Sequence, residues 1–172
     1  NVLPGANPMF GLNTLGGALV VNTKNGKDDS GTAITVSGGS FKRRGVSVET
    51  GWADDAHGTD YFFAANYDRQ NGYRWHSGSE VQQLYGKARW HDATTKAELS
   101  FALADNTMSG TQALPADMLG NPAAPYTYPD TIKNRMALLN LKMTQAVGDD
   151  DFVVGNVYFR RSHSNSVNSN AE

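Results

Sequence analysis

The sequence predicts an all-β protein of about seven antiparallel strands, on three observations. Apolar and polar residues alternate with period two over seven separate stretches. Aromatic residues stand near the ends of the apolar faces. The connectors between stretches run short and long in turn. Together these make the pattern of an antiparallel transmembrane β-barrel, whose strands carry one lipid-facing and one lumen-facing row and whose turns are short on one side of the membrane. A soluble β-sandwich or a lipocalin-like barrel has the same period, so period alone leaves that alternative open.

The first stretch, 32–37, sets Ile34 and Val36 against Thr35 and Ser37, and the second, 46–52, sets Val46, Val48 and Trp52 against Ser47, Glu49 and Gly51. In the third, 61–68, Tyr61, Phe63, Ala65 and Tyr67 share one face, and Phe62, Ala64, Asn66 and Asp68 the other. The fourth places Leu84, Gly86, Ala88 and Trp90 opposite Tyr85, Lys87, Arg89 and His91. The fifth is the cleanest, with Ala97, Leu99, Phe101 and Leu103 alternating with Glu98, Ser100, Ala102 and Ala104. A sixth sets Ala137, Leu139, Leu141 and Met143 against Leu138, Asn140, Lys142 and Thr144. In the seventh, Val153, Val157 and Phe159 oppose Asn156, Tyr158 and Arg160. Trp52, Tyr61, Tyr67, Trp90 and Phe159 are the aromatics near the ends of apolar faces, where the two interfaces of a membrane would lie. The Gly and Ala content of those faces would pack a soluble core poorly.

Composition removes several function classes. Mean hydropathy is −0.49, and no apolar run approaches the roughly 18 residues of a membrane-spanning helix, although alternating barrel strands average out in hydropathy. A net charge of −2 gives no basic footprint, so nucleic acid is not an expected partner. The absence of cysteine excludes a disulfide framework, thiolate metal sites and cysteine nucleophiles. No basic segment followed by an apolar one opens the sequence, so no secretory leader is expected within it.

Residues 9–26 join a glycine-marked turn to a short apolar strand and a polar exit. Phe10-Gly11, then Gly16-Gly17, then the apolar run from Ala18 and Thr23-Lys24 resemble, in order and spacing, the closing segment of the plug domain of TonB-dependent outer-membrane receptors. Asn71-Gly72-Tyr73-Arg74, residues 115–119, Tyr128-Pro129-Asp130-Thr131 and Tyr158-Phe159-Arg160-Arg161 are similar to early-barrel segments of the same family. The resemblance implies that residues 1–28 end a plug and that 29–172 form the N-terminal portion of a barrel. That portion is incomplete, because plugged barrels of this type have about 22 strands. It further implies the outer membrane of a Gram-negative bacterium, contact with outer-membrane lipid, and active uptake of a scarce extracellular solute such as a ferric siderophore or another metal chelate. Uptake would be powered by the TonB complex through a segment outside this sequence. No enzyme activity and no cofactor are implied. A passive porin-like channel and a soluble ligand-binding β-protein remain as rival readings.

With the plug on the periplasmic side, the connectors acquire sides. Residues 41–45, 70–80 and 105–134 fall outside the cell, and 53–60, 92–95 and 148–151 fall in the periplasm. The two longest connectors are then both extracellular, as in outer-membrane barrels. Pro115, Pro122, Pro125 and Pro129 keep a regular sheet out of the longest one.

Candidate chemistry is sparse. Gly11, Gly16 and Gly17 lack the Lys-Ser or Lys-Thr of a phosphate loop, and suit a close-packed plug turn instead. His57, His76, His91 and His163 show no metal-ligand spacing, and Asp149-Asp150-Asp151 lacks the spaced oxygens of a calcium loop. No metal site and no catalytic set is expected. The polar faces carry Glu49, Asp68, Lys87, Arg89, Glu98, Lys142 and Arg160, which would be costly against lipid and are therefore expected in the lumen, paired with plug groups or solvated there. Tyr73, Arg74, Trp75 and His76 have two readings, as contacts to an anionic or planar solute or as interface anchors.

Overall fold

The computed structural model describes residues 21–110, 112–148 and 150–169, together with the backbone of two short strands before them. Those two, β1 (Val2–Pro4) and β2 (Gly17–Leu19), pair antiparallel in a sheet of their own. The main body is one seven-stranded antiparallel meander of β3 (Gly31–Gly39), β4 (Arg43–Asp54), β5 (Thr59–Gln70), β6 (Ser79–His91), β7 (Thr95–Ser109), β8 (Thr131–Ala146) and β9 (Phe152–Val167), in that order. A single 3-10 turn, Ala116–Met118, is the one helical element among the described residues. The protein is all-β.

All seven expected strands are present, and all are longer than alternation indicates. The largest corrections concern the fifth and sixth, where pairing continues to Ser109 and resumes at Thr131, so the expected 105–134 connector shrinks to 110–130. Asp105, Asn106 and Thr107 face Arg135, Asn134 and Lys133 across the ladder, so both faces are polar there and period two disappears while the hydrogen bonds continue. Every proline of that region stays in the connector.

The register sorts the side chains into two faces. Ile34, Val48, Ala65, Leu84, Leu103 and Ala137 lie in one row of direct cross-strand partners, and Trp52, Tyr61, Ala88, Leu99, Leu141 and Val157 in another on the same face. On this apolar face Ile34, Trp52, Tyr61, Leu99, Leu141 and Phe159 are all exposed. The one buried large apolar side chain among the described residues, Phe62, is on the opposite face.

The apolar residues occupy windows of seven residues on six strands: 46–52, 61–67, 84–90, 97–103, 137–143 and 153–159. Trp52, Tyr61, Tyr67, Trp90 and Phe159 each stand at a window end, and Trp52 stacks on Tyr61 with ring centroids 6.0 Å apart. The windows do not run straight across the ladder. Val46 lies in the row that ends at His163, four residues beyond Phe159, while Trp52 lies in the row that ends at Val157, four residues short of Val153. Both edges of the band thus shift by the same four residues over five strand steps. With about 3.3 Å per residue and about 4.8 Å between strands, the strands are inclined roughly 30° to the normal of the band.

Candidate functional site

The most organised polar constellation lies where residues 24–29 fold back over the polar face beside the short connectors. Asp60, Arg89, Glu98 and Lys142 are direct cross-strand neighbours there, a row of alternating charge on β5 to β8. Arg89 donates through Nε to both carboxylate oxygens of Asp60, at 3.0 and 2.8 Å, and through Nη2 to Asn25 Oδ1 at 2.6 Å. The remaining capacity of Asp60 Oδ1 accepts from the Gly26 amide at 2.9 Å. Asp60 is only 5% exposed, so its charge is held by a guanidinium and a backbone N–H rather than by water. Lys87 reaches Glu98 at 3.5 Å.

Asn25 makes the local turn. Its side-chain oxygen accepts from the amides of Lys27 and Asp28, and its own amide donates to Asp29 Oδ2. Lys24 donates to both oxygens of Glu49 at 2.8 Å, which raises the lysine pKa above its ordinary value, and Lys24 Nζ also sits 5.9 Å from the Phe62 ring centroid. Lys27 reaches Asp55 at 2.7 Å, and its pKa is likewise raised by that hydrogen bond.

Two glycines permit this approach. A Cβ on Gly26 would stand 2.3 Å from the carbonyl oxygens of Trp52 and Tyr61, and one on Gly51 would stand 2.1 Å from the Asp29 oxygen. The obstacles are backbone, so a side chain cannot turn them aside. Close packing of a glycine against another segment's backbone is thus found at Gly26 and Gly51. Gly17 opens β2 opposite Pro4, and Gly11 and Gly16 lie outside the described residues.

At the other end of the sheet, residues 71–78 pack against 110–130. The Trp75 amide donates to Ala123 O at 2.8 Å, Arg74 Nη1 donates to Gln112 O at 2.7 Å, and His76 stacks on Tyr128 with centroids 3.9 Å apart. Tyr73 meets Phe41 edge-on at 5.7 Å. The four candidate loop residues thus lie against the longest connector, with Tyr73, Trp75 and His76 exposed, Arg74 hydrogen-bonded to it and His76 stacked on it.

Glu49, Asp68, Lys87, Arg89, Glu98, Lys142 and Arg160 all project from the polar face, opposite the apolar windows. Asp68 pairs with Arg43 at 3.3 Å, far from the Asp60 cluster. Arg160, opposite Leu138, stands apart as well. Sequence reasoning missed Asn25, Gly26, Gly51 and Asp60. The one signal for them was Asp60 itself, an acid beside the apolar window of β5 in register with Arg89. Among the described residues no group of three His, Asp or Glu is placed to hold a metal ion. No protein-family model matches the chain, and no curated protein matches it.

Proposed function

We propose that this chain carries the end of a plug domain and the first seven strands of a transmembrane β-barrel, in a TonB-dependent outer-membrane receptor that takes up a scarce solute such as a ferric siderophore or another metal chelate. The observation that carries the membrane reading is the slanted apolar band. Six windows of equal width, four of them with an aromatic at one end or both, carry the apolar residues on one face and are displaced by four residues in all across the ladder, an inclination of roughly 30°, near the 35–45° strand tilt of outer-membrane barrels. Seven residues reach about 20 Å along a strand, or about 17 Å along the band normal at that inclination, which fits within the ~25 Å apolar band of such barrels. A soluble sandwich has no reason to keep the width of its apolar strip constant while displacing it.

The receptor reading rests on the sequence resemblance of the glycine element and is supported by residues 24–29 lying on the polar face, where a plug leaving a lumen would join its wall. The apolar face then meets lipid and the polar face lines the lumen. The 55–58, 92–94 and 147–151 connectors are periplasmic, and 110–130 is extracellular.

An epitope placed between Gly120 and Asn121 of the intact protein tests the topology. Labelling on whole cells is expected, and labelling only after the outer membrane is permeabilised would reverse every side assignment. Uptake of labelled ferric chelates by cells with and without TonB tests the transport step. Equal uptake in both would favour a passive channel.

A further inference from the structure

The two rims of the apolar band differ sharply in charge. At the rim beside the long connectors, the first residue past the window on the apolar face is Arg44 on β4, Arg69 on β5, Gln82 on β6, Asp105 on β7, Arg135 on β8 and Arg161 on β9. Four arginines against one aspartate give that rim a net charge of +3. At the opposite rim the corresponding residues are Asp54, Thr59, Asp92, Thr95, Gln145 and Asp151, with three aspartates and no cation. The arginines follow the slant of the band. Arg44 and Arg69 share one row of the ladder, Arg135 and Arg161 lie in others, and each is the next outward residue after its own strand's window.

A second feature points the same way. Arg44 and Arg69 are direct cross-strand partners on the same face. Like charges placed directly opposite destabilise a sheet. Arg69 has Glu80 at 3.8 Å, a long contact, and Arg135 has Asp105 at 2.9 Å. Arg44 and Arg161 are exposed, and no contact to an acid places a counter-charge on either among the described residues. A guanidinium pair fixed by the ladder beside an apolar wall is suited to a phosphate whose acyl chains lie along that wall.

We infer that the Arg44, Arg69, Arg135 and Arg161 rim binds the phosphate groups of lipids in the outer leaflet, with the Arg44 and Arg69 pair as its centre. The inference rests on the membrane reading proposed above. The occupant is a lipid rather than a free anion because the cations border the apolar windows. A free anion would gain nothing from Val46, Tyr67 or Phe159 beneath it.

Native mass spectrometry of the intact protein released from detergent tests this, with lipid A, dephosphorylated lipid A and inorganic phosphate as probes. Lipid A adducts are expected on the wild type. Each arginine near a membrane surface contributes an electrostatic attraction equivalent to about fivefold in binding, so Arg44→Gln with Arg69→Gln is expected to weaken lipid A retention about 25-fold. Asp54→Asn at the opposite rim should leave it unchanged. The conservative Arg44→Lys should retain most of it, and heat-modified gel mobility checks that each variant has assembled. Equal retention of the dephosphorylated lipid, an unaffected double variant, or displacement of lipid A by equimolar inorganic phosphate would each overturn the inference. If the intact protein stays soluble and monodisperse without detergent, the membrane reading falls and this inference with it. A detergent-dependent protein with phosphate-independent lipid binding removes this inference alone.

Discussion

Asp60 and Arg89 face each other directly across β5 and β6, joined by two charge-assisted hydrogen bonds, and each also holds the 24–29 segment, Asp60 through the Gly26 amide and Arg89 through Asn25. One ion pair therefore ties together two strands and a segment 34 residues before Asp60 and 64 before Arg89 in sequence.

Removing either partner should release the segment. Arg89→Met leaves Asp60 buried with only the Gly26 amide, and breaking such a pair costs about 3 kcal/mol, somewhat less here because the Arg89 side chain is partly exposed. Urea unfolding of the intact protein in detergent should show a lower midpoint. Amide exchange at Gly26 should accelerate while the β7 and β8 ladder stays protected. Unchanged exchange at Gly26 would mean that the segment is held by something else.

The glycine contact predicts a steric effect with a built-in control. Gly51→Val places side-chain atoms against the Asp29 carbonyl and should lift residues 24–29 from the sheet, exposing the stretch to protease. Gly155→Ala and Gly120→Ala add a methyl group where nothing lies within 4 Å, and should change protease sensitivity little. Equal sensitivity in all three would remove the packing argument.

The two faces predict opposite tolerance to charge. Leu99→Arg or Leu103→Arg, in the apolar windows, should reduce assembly into membranes, with a cost of roughly 2–4 kcal/mol near the midplane. Ser100→Arg, on the other face beside Lys87 and Asn140, should be tolerated better. Similar assembly yields for Leu99→Arg and Ser100→Arg would contradict the face assignment.

Asp92 predicts a pH effect confined to one turn. Its carboxylate accepts from the amides of Thr94 and Thr95, at 2.8 and 2.7 Å, and these bonds hold its pKa below the ordinary 3.8. A carboxyl depressed on folding stabilises the turn fully above its unfolded pKa and loses that contribution as pH falls through the lower folded value. NMR titration should show the Thr94 and Thr95 amide protons shifting together below pH 3.8, and Asp92→Ala should abolish the shift.

The strands were legible from sequence because one face of each is apolar over a fixed width, as in the clean alternation of Leu99, Phe101 and Leu103 against Ser100 and Ala102. Strand ends were not, since beyond the windows both faces are polar and only the hydrogen-bond ladder marks the strand. The slant of the band was invisible for a related reason. It needs the register, which sets Val46 beside Tyr67 and both in the row of His163. The Asp60 cluster escaped because its members are scattered from residue 24 to 142 and acquire meaning through cross-strand placement. Gly26 and Gly51 escaped because a glycine required by another segment's backbone looks no different from one in an open turn.

Among the described residues β3 and β9 have a hydrogen-bonded neighbour on one side only, and β9 runs for 16 residues with every window position exposed. An open strand of that length is a template for another chain. Prepared by itself, the seven-stranded unit would meet its own copies at these margins, β9 against β9 or against β3, and its refolding yield would fall as protein concentration rises. Blocking one margin with a matching peptide strand would then restore yield more effectively than changing the detergent.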